Sequence, residues 1–253
     1  MSSRASARGG NADAAPLSAA RRTAHEGDAG GRRRFVAGLA AGGATALLGC
    51  RGTTESEANG AVITPGEDLM GEHGIVRRIM VVWTEIDGPL RRGEPIDASA
   101  LASSVDVLQW FIERFHERVE EEQVFPRLER AGREVGLVHT LRAQHEVGRA
   151  VTRELSALIA AGMDEHARAP IADRLADHAR MYAAHASRED TVVFPALREI
   201  VGNGWAELGE QFDQHEEHTI GAGGLARALA QVEAVEDAFG LSDLSRFTPS
   251  RRG

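Results

Sequence analysis

The sequence has no lysine; all 29 of its basic residues are arginine. That bias reflects composition and carries no functional meaning alone. Cysteine occurs once, at Cys50, which excludes both a disulfide framework and a thiolate metal site. Aromatic residues make up only 5% of the chain, while alanine, leucine, arginine and glutamate abound, a balance that favours helix. A basic excess is missing too. The 253 residues sum to −9, yet the first fifty, with seven arginines against Asp13, Glu26 and Asp28, carry +4. The rest of the chain is therefore at about −13. An acidic body lacks the positive face that phosphate contacts need, which argues against nucleic acid as a partner. Nucleophilic triads and nucleotide loops are absent as well. Gly221-Ala222-Gly223-Gly224 lies in a helical region with no strand before it, so it reads as a break in a helix.

Residues 1–50 read as an address and are set apart from the fold. Arg32-Arg33-Arg34-Phe35 precedes an uncharged run from Val36 to Leu48, and Leu47-Leu48-Gly49-Cys50 closes it. Thirteen apolar residues are too few to span a bilayer as a helix but suit the core of a signal peptide. The paired arginines resemble a twin-arginine export signal, and Leu-Leu-Gly-Cys resembles a bacterial lipobox. That resemblance implies export across the inner membrane and a lipid anchor on Cys50. The competing reading is a disordered arginine-rich tail followed by an Ala/Gly helix. Residues 51–65, rich in Gly, Thr, Ser and Glu, suit a flexible tether.

From Gly66 the apolar residues recur at helical spacing. A first helix is predicted from about Glu67 to Glu85, with Leu69, Val76, Ile79, Met80 and Trp83 for one face and Asp87-Gly88-Pro89 as its end. A second is predicted from about Asp97 to Leu128, and a third from about Glu134 to Ala161, closed by Gly162. Pro170 suits the first turn of a fourth, which reaches about Ile200. Trp205 to Phe239 reads as a further helical segment interrupted by glycines, and Leu241 to Gly253 as a tail with little to organise it. Short connections between long helices predict an all-α, antiparallel up-down-up-down four-helix bundle over residues 66–202, with a C-terminal helical extension over 203–240.

The chain also repeats itself. His116, Glu120 and Phe125-Pro126 are echoed 69 residues later by His185, Glu189 and Phe194-Pro195. A weaker echo relates Glu72-His73 and Arg77 to Gln144-His145 and Arg149. Residues four apart on a helix share a face, so His116 with Glu120, and His185 with Glu189, can each reach one ion. Imidazole and carboxylate together suit Fe, Mn or Zn. His73 and His145 would add donors from the other two helices, making four histidines and two glutamates. Each position has a plainer reading. A lone His-x-x-x-Glu is usually a surface ion pair, and His73 and His145, among Leu69, Val76, Leu141 and Val151, compete as core or boundary histidines. The shared register to Phe-Pro favours metal, because a solvated face has no reason to keep it. Glu121, Glu122 and Asp190 read as charged flanks, with Glu121 or Asp190 able to orient a ligand histidine. His139 and His178 read as surface or boundary residues, and His166 as a loop residue. Asp213, His215, Glu216, Glu217 and His218 read as a charged helix face.

These motifs resemble the hemerythrin-like family, the HHE cation-binding domains, over about Glu67 to Ile200. The resemblance implies a four-helix bundle around a non-haem di-iron centre of the Fe–O–Fe type. Its ligands would be His73, His116, Glu120, His145, His185 and Glu189, with both glutamates bridging. The sequence departs from the oxygen carriers of that family in two places. Leu141 stands where they have a second helix-three histidine, and Glu189, four residues after His185, stands beside Asp190 at the spacing they use. One fewer imidazole leaves a coordination position open. The expected function is binding or sensing of a small ligand such as dioxygen or nitric oxide, or iron storage. Redox catalysis on peroxide or nitric oxide, and a structural bundle without metal, are the alternatives.

Overall fold

A computed structural model describes residues 63–250, which are helical with no strand among the described residues. The export signal, Cys50 and nearly all of the tether lie outside them. The first helix, α1, spans Pro65–Arg91. Thr64 opens it with a capping box: its hydroxyl accepts the Glu67 N–H at 3.3 Å while Glu67 accepts the Thr64 N–H at 2.8 Å. The five apolar residues expected on its inner face are all buried. Pro89 does not end it. The proline falls in the last turn, where the lost N–H costs one bond, and the chain turns two residues later.

The second helix, α2, is one rod over residues 98–130, capped by Asp97, but it is not uniformly α-helical. Leu108–His116 and Glu120–Val124 are wound as π-helix. The third, α3, is Val135–Ala160, and Glu134 enters it in the left-handed region at φ 52°. The fourth, α4, covers residues 165–201 and again contains a π-turn, Glu189–Val193. Its cap is Asp164, which accepts the N–H groups of His166 and Ala167 at 2.9 Å each. His166 is thus in the first turn of a helix, not in a loop, and Pro170 lies inside the helix, one turn later than its preference suggests.

The two short π-turns explain the repeated Phe-Pro. In each the N–H of the phenylalanine bonds the carbonyl five residues back, Phe125 to Glu120 and Phe194 to Glu189. The following proline has no N–H, and its ring crowds the carbonyl four residues earlier, so the helix widens just before it. Both widened turns begin on the repeated glutamate.

Helices α1 to α4 pack as a ring, each against its two neighbours, around a core that includes Trp83, Phe111 and Phe125. The Trp83 indole N–H donates to Ser104 Oγ at 2.8 Å, so the core tryptophan has its partner. The extension forms two helices, α5 (Trp205–Thr219) and α6 (Gly224–Ala238), broken where Gly221 and Gly223 take φ near +75°. Glu216 of α5 accepts the Gly224 N–H at 2.8 Å and caps α6. Both helices lie against α1 and α2, where Phe212, Val232 and Val235 are buried and Arg78 holds Glu236 through two hydrogen bonds. The tail is more organised than its composition suggests: Leu241 is buried and Asp243 caps a short turn, Leu244–Phe247. No described helix is long and apolar enough to cross a membrane.

Candidate metal centre

All four helices of the ring contribute to one buried cluster. His73 comes from α1, His116 and Glu120 from α2, His145 from α3, and His185 and Glu189 from α4. None of the six is more than 3% exposed. The structure brings all six together in one place.

Each imidazole is held from behind. His73 Nδ1 lies 2.7 Å from Asp190 Oδ1, His116 Nδ1 2.7 Å from Glu72 Oε2, His145 Nδ1 3.0 Å from Glu121 Oε1, and His185 Nδ1 3.0 Å from Gln144 Oε1. Those oxygens accept hydrogen bonds and cannot donate them, so each Nδ1 carries the proton and each Nε2 turns a lone pair inward. Inside, His73 and His116 bring their Nε2 atoms to 3.1 Å, and so do His145 and His185. Two facing lone pairs at that distance repel unless a cation sits between them. With metal–nitrogen bonds of about 2.1 Å, neighbouring ligands at right angles stand about 3 Å apart, so each pair has the spacing of two ligands on one ion.

The glutamates join the pairs. Glu120 Oε1 is 3.5 Å from His116 Nε2, and its Oε2 is 3.4 Å from His145 Nε2. Glu189 Oε2 is 3.3 Å from His73 Nε2 and 3.0 Å from His185 Nε2. Yet no oxygen of either carboxylate receives a hydrogen bond from the described residues. Buried carboxylates without donors are expensive, and inward lone pairs add to the cost. The donor set of imidazole nitrogen and carboxylate oxygen fits iron, manganese or zinc. A metal held among these imidazoles and carboxylates would give partners to atoms that the described residues leave without one.

Burial and charge perturb the groups of the cluster unevenly. Burial, reinforced by the charge of Glu189, pushes Glu120 well above the usual carboxylate range. Burial also works to raise Glu189, but the neighbouring His185 and His73 imidazoles outweigh it and hold it low. Burial and the neighbouring His73 keep His116 far below its ordinary value, and burial brings His145 down to about 4. His73 differs: burial pulls it down, but Asp190 and Glu189 outweigh that and raise it.

A third group of acids beside the cluster, Glu117 and Glu121 with His145, already holds a cation. Arg149 Nη2 lies 2.7 Å from Glu117 and 2.5 Å from Glu121. Of the flanking acids, both Asp190 and Glu121 orient histidines, and each is also paired with an arginine, Arg77 and Arg149 respectively. Glu122 is an exposed flank. His139 is exposed, as expected, but His178 is not: it is 4% exposed, stacked on Tyr182 and edge-on to Trp83. Leu141 is buried in the core, and His215 packs on Phe115 outside the cluster. Sequence reasoning missed what Glu72 and Gln144 do. Their only signal was position before a repeated histidine, and each serves a histidine on a neighbouring helix, not the one beside it. Tyr182 and Arg149 gave no signal of a role beyond the echo of Arg77 in Arg149.

This arrangement defines a cation-binding helical bundle. The model of the hemerythrin HHE cation binding domain matches residues 64–197, and the chain belongs to that family. It is 37% identical over 233 residues to an uncharacterised protein of Mycobacterium tuberculosis (strain H37Rv), an alignment that covers 87% of this chain and 91% of that protein. An uncharacterised protein of Mycobacterium bovis matches to the same extent. No solved structure matches the chain.

Proposed function

We infer that this protein holds two metal ions, iron by preference, and uses them to bind or sense a small ligand such as dioxygen or nitric oxide, or to store iron. His73 and His116 would hold one ion, His145 and His185 the other, and Glu120 and Glu189 would bridge them. The observation that carries this reading is the set of four inward imidazole nitrogens around two carboxylates that no hydrogen bond satisfies. Each ion would have two nitrogens and two carboxylate oxygens, fewer than six donors, so an exogenous ligand has room. Leu141, buried and apolar at the place where oxygen carriers have a further imidazole, supports an open position. Iron of this kind supplies reversible ligand binding or electron transfer. The protein's own residues hold the imidazoles in one tautomer, exclude water and bury the centre. The same open position supports the second reading, a redox enzyme acting on peroxide or nitric oxide. Turnover of either compound, against reversible binding followed optically, separates the two.

Elemental analysis tests the ligand set. Wild-type protein made with iron available should carry two ions per chain, His139→Ala should keep them, and the double variant Glu120→Ala/Glu189→Ala should lose them. Two irons retained in the double variant would remove both glutamates from the site.

A further inference from the structure

Tyr182 is the one tyrosine of the chain. It lies one helical turn before His185 on α4 and is buried. Its ring stands 5.4 Å from that of His185 and 6.2 Å from that of His73, edge-on at 86°. Those two histidines belong to different pairs, so the ring lies beside a histidine of each. His178 stacks on it at 5.9 Å and 8°, and Trp83 in turn abuts His178 at 5.5 Å, which holds the ring in place. The hydroxyl has no hydrogen-bond partner among the described residues.

A buried hydroxyl without a partner is costly, and the duplication does not account for this one. At the equivalent place in the first copy, 69 residues earlier, stands Glu113, whose carboxylate accepts the Thr152 hydroxyl at 2.5 Å. The acid is satisfied within the protein, and the phenol is not.

We propose that Tyr182 donates a hydrogen bond to a small anionic ligand held at the metal centre. This rests on the two-ion reading above. The donor stands beside the histidines and spends no hydrogen bond on the protein, so binding the ligand gains an interaction without breaking one. Phenylalanine preserves the ring, its stacking on His178 and its packing, and removes only the hydroxyl.

The test uses iron-loaded wild type and Tyr182→Phe with azide as the probe. Both proteins should carry two irons, and the variant should bind azide about tenfold more weakly, the effect of one charge-assisted hydrogen bond. In the wild type, the vibrational band of bound azide should shift when water is replaced by deuterium oxide. Equal azide affinity in two loaded proteins overturns the proposal and leaves the ligand set standing. A visible charge-transfer band present in wild type and lost in the variant also overturns it, because Tyr182 would then be a ligand itself. Should the variant lose its iron, the wild-type band decides: a shift on deuteration supports the donor, and no shift overturns it. Wild type without metal overturns the centre and this proposal together.

Discussion

Replacing Asp190 by alanine isolates the contribution of a residue that supports the centre from behind. Its carboxylate accepts from His73 Nδ1 at 2.7 Å and is paired with Arg77. The arginine side chain is 45% exposed and returns to water at little cost. His73 is fully buried, so its Nδ1–H would lose an acceptor that solvent cannot replace, a cost of about 1–3 kcal/mol. The ring would also lose what fixes its rotation and tautomer, and metal affinity should fall roughly 10–100-fold. For a domain of this size the stability loss amounts to about 2–4 °C in Tm per kcal/mol. Competition with a chelator reads the affinity and a thermal scan reads the stability. Asp190→Asn, which keeps an accepting oxygen, should lose less on both. Asp173→Ala is the control, since its pair with Arg91 is exposed on both sides and worth under about 1 kcal/mol. An Asp190→Ala protein that holds its metal within about twofold of wild type would refute the claim that the rear hydrogen bond sets His73 as a donor.

Acid should weaken the fold through His178 as well. Burial holds it at about 4, below the value of about 6.5 in an unfolded chain. Its neutral state therefore contributes stability that is present above about pH 6.5 and is lost as pH falls toward 4, at up to about 1.4 kcal/mol per pH unit. Urea unfolding across that range should show a shallower slope for His178→Phe, and matching slopes would refute the assignment. Export and lipid attachment at Cys50, proposed on the residues of the N-terminal segment, are checked by cell fractionation: wild type should follow the membranes, Cys50→Ala should not, and equal partition would count against the anchor.

The fold class was legible in spacing. Apolar residues at helical period named the four rods, and the glycines at 221 and 223 marked the break in the extension. Helix ends were less legible. Pro89 and Pro170 both lie within helices, because a proline near a terminus costs few bonds and packing decides whether the rod continues. The doubled His-x-x-x-Glu pointed to residues that the structure brings together, yet its Phe-Pro companion conveyed a register without a cause until the π-turns appeared. His178 read as a boundary residue because sequence reports which helix carries a side chain and leaves open what faces it.

By itself, then, the sequence determined a helical bundle and the six polar residues on its inward faces, because spacing along a rod is a local property. Only tertiary structure decided which oxygen backs which imidazole. Glu72 serves His116 and Gln144 serves His185 across helix boundaries, and such pairings depend on how the rods are rotated against one another. That rotation points four lone pairs at a common centre, and it is set by packing among residues far apart in the chain.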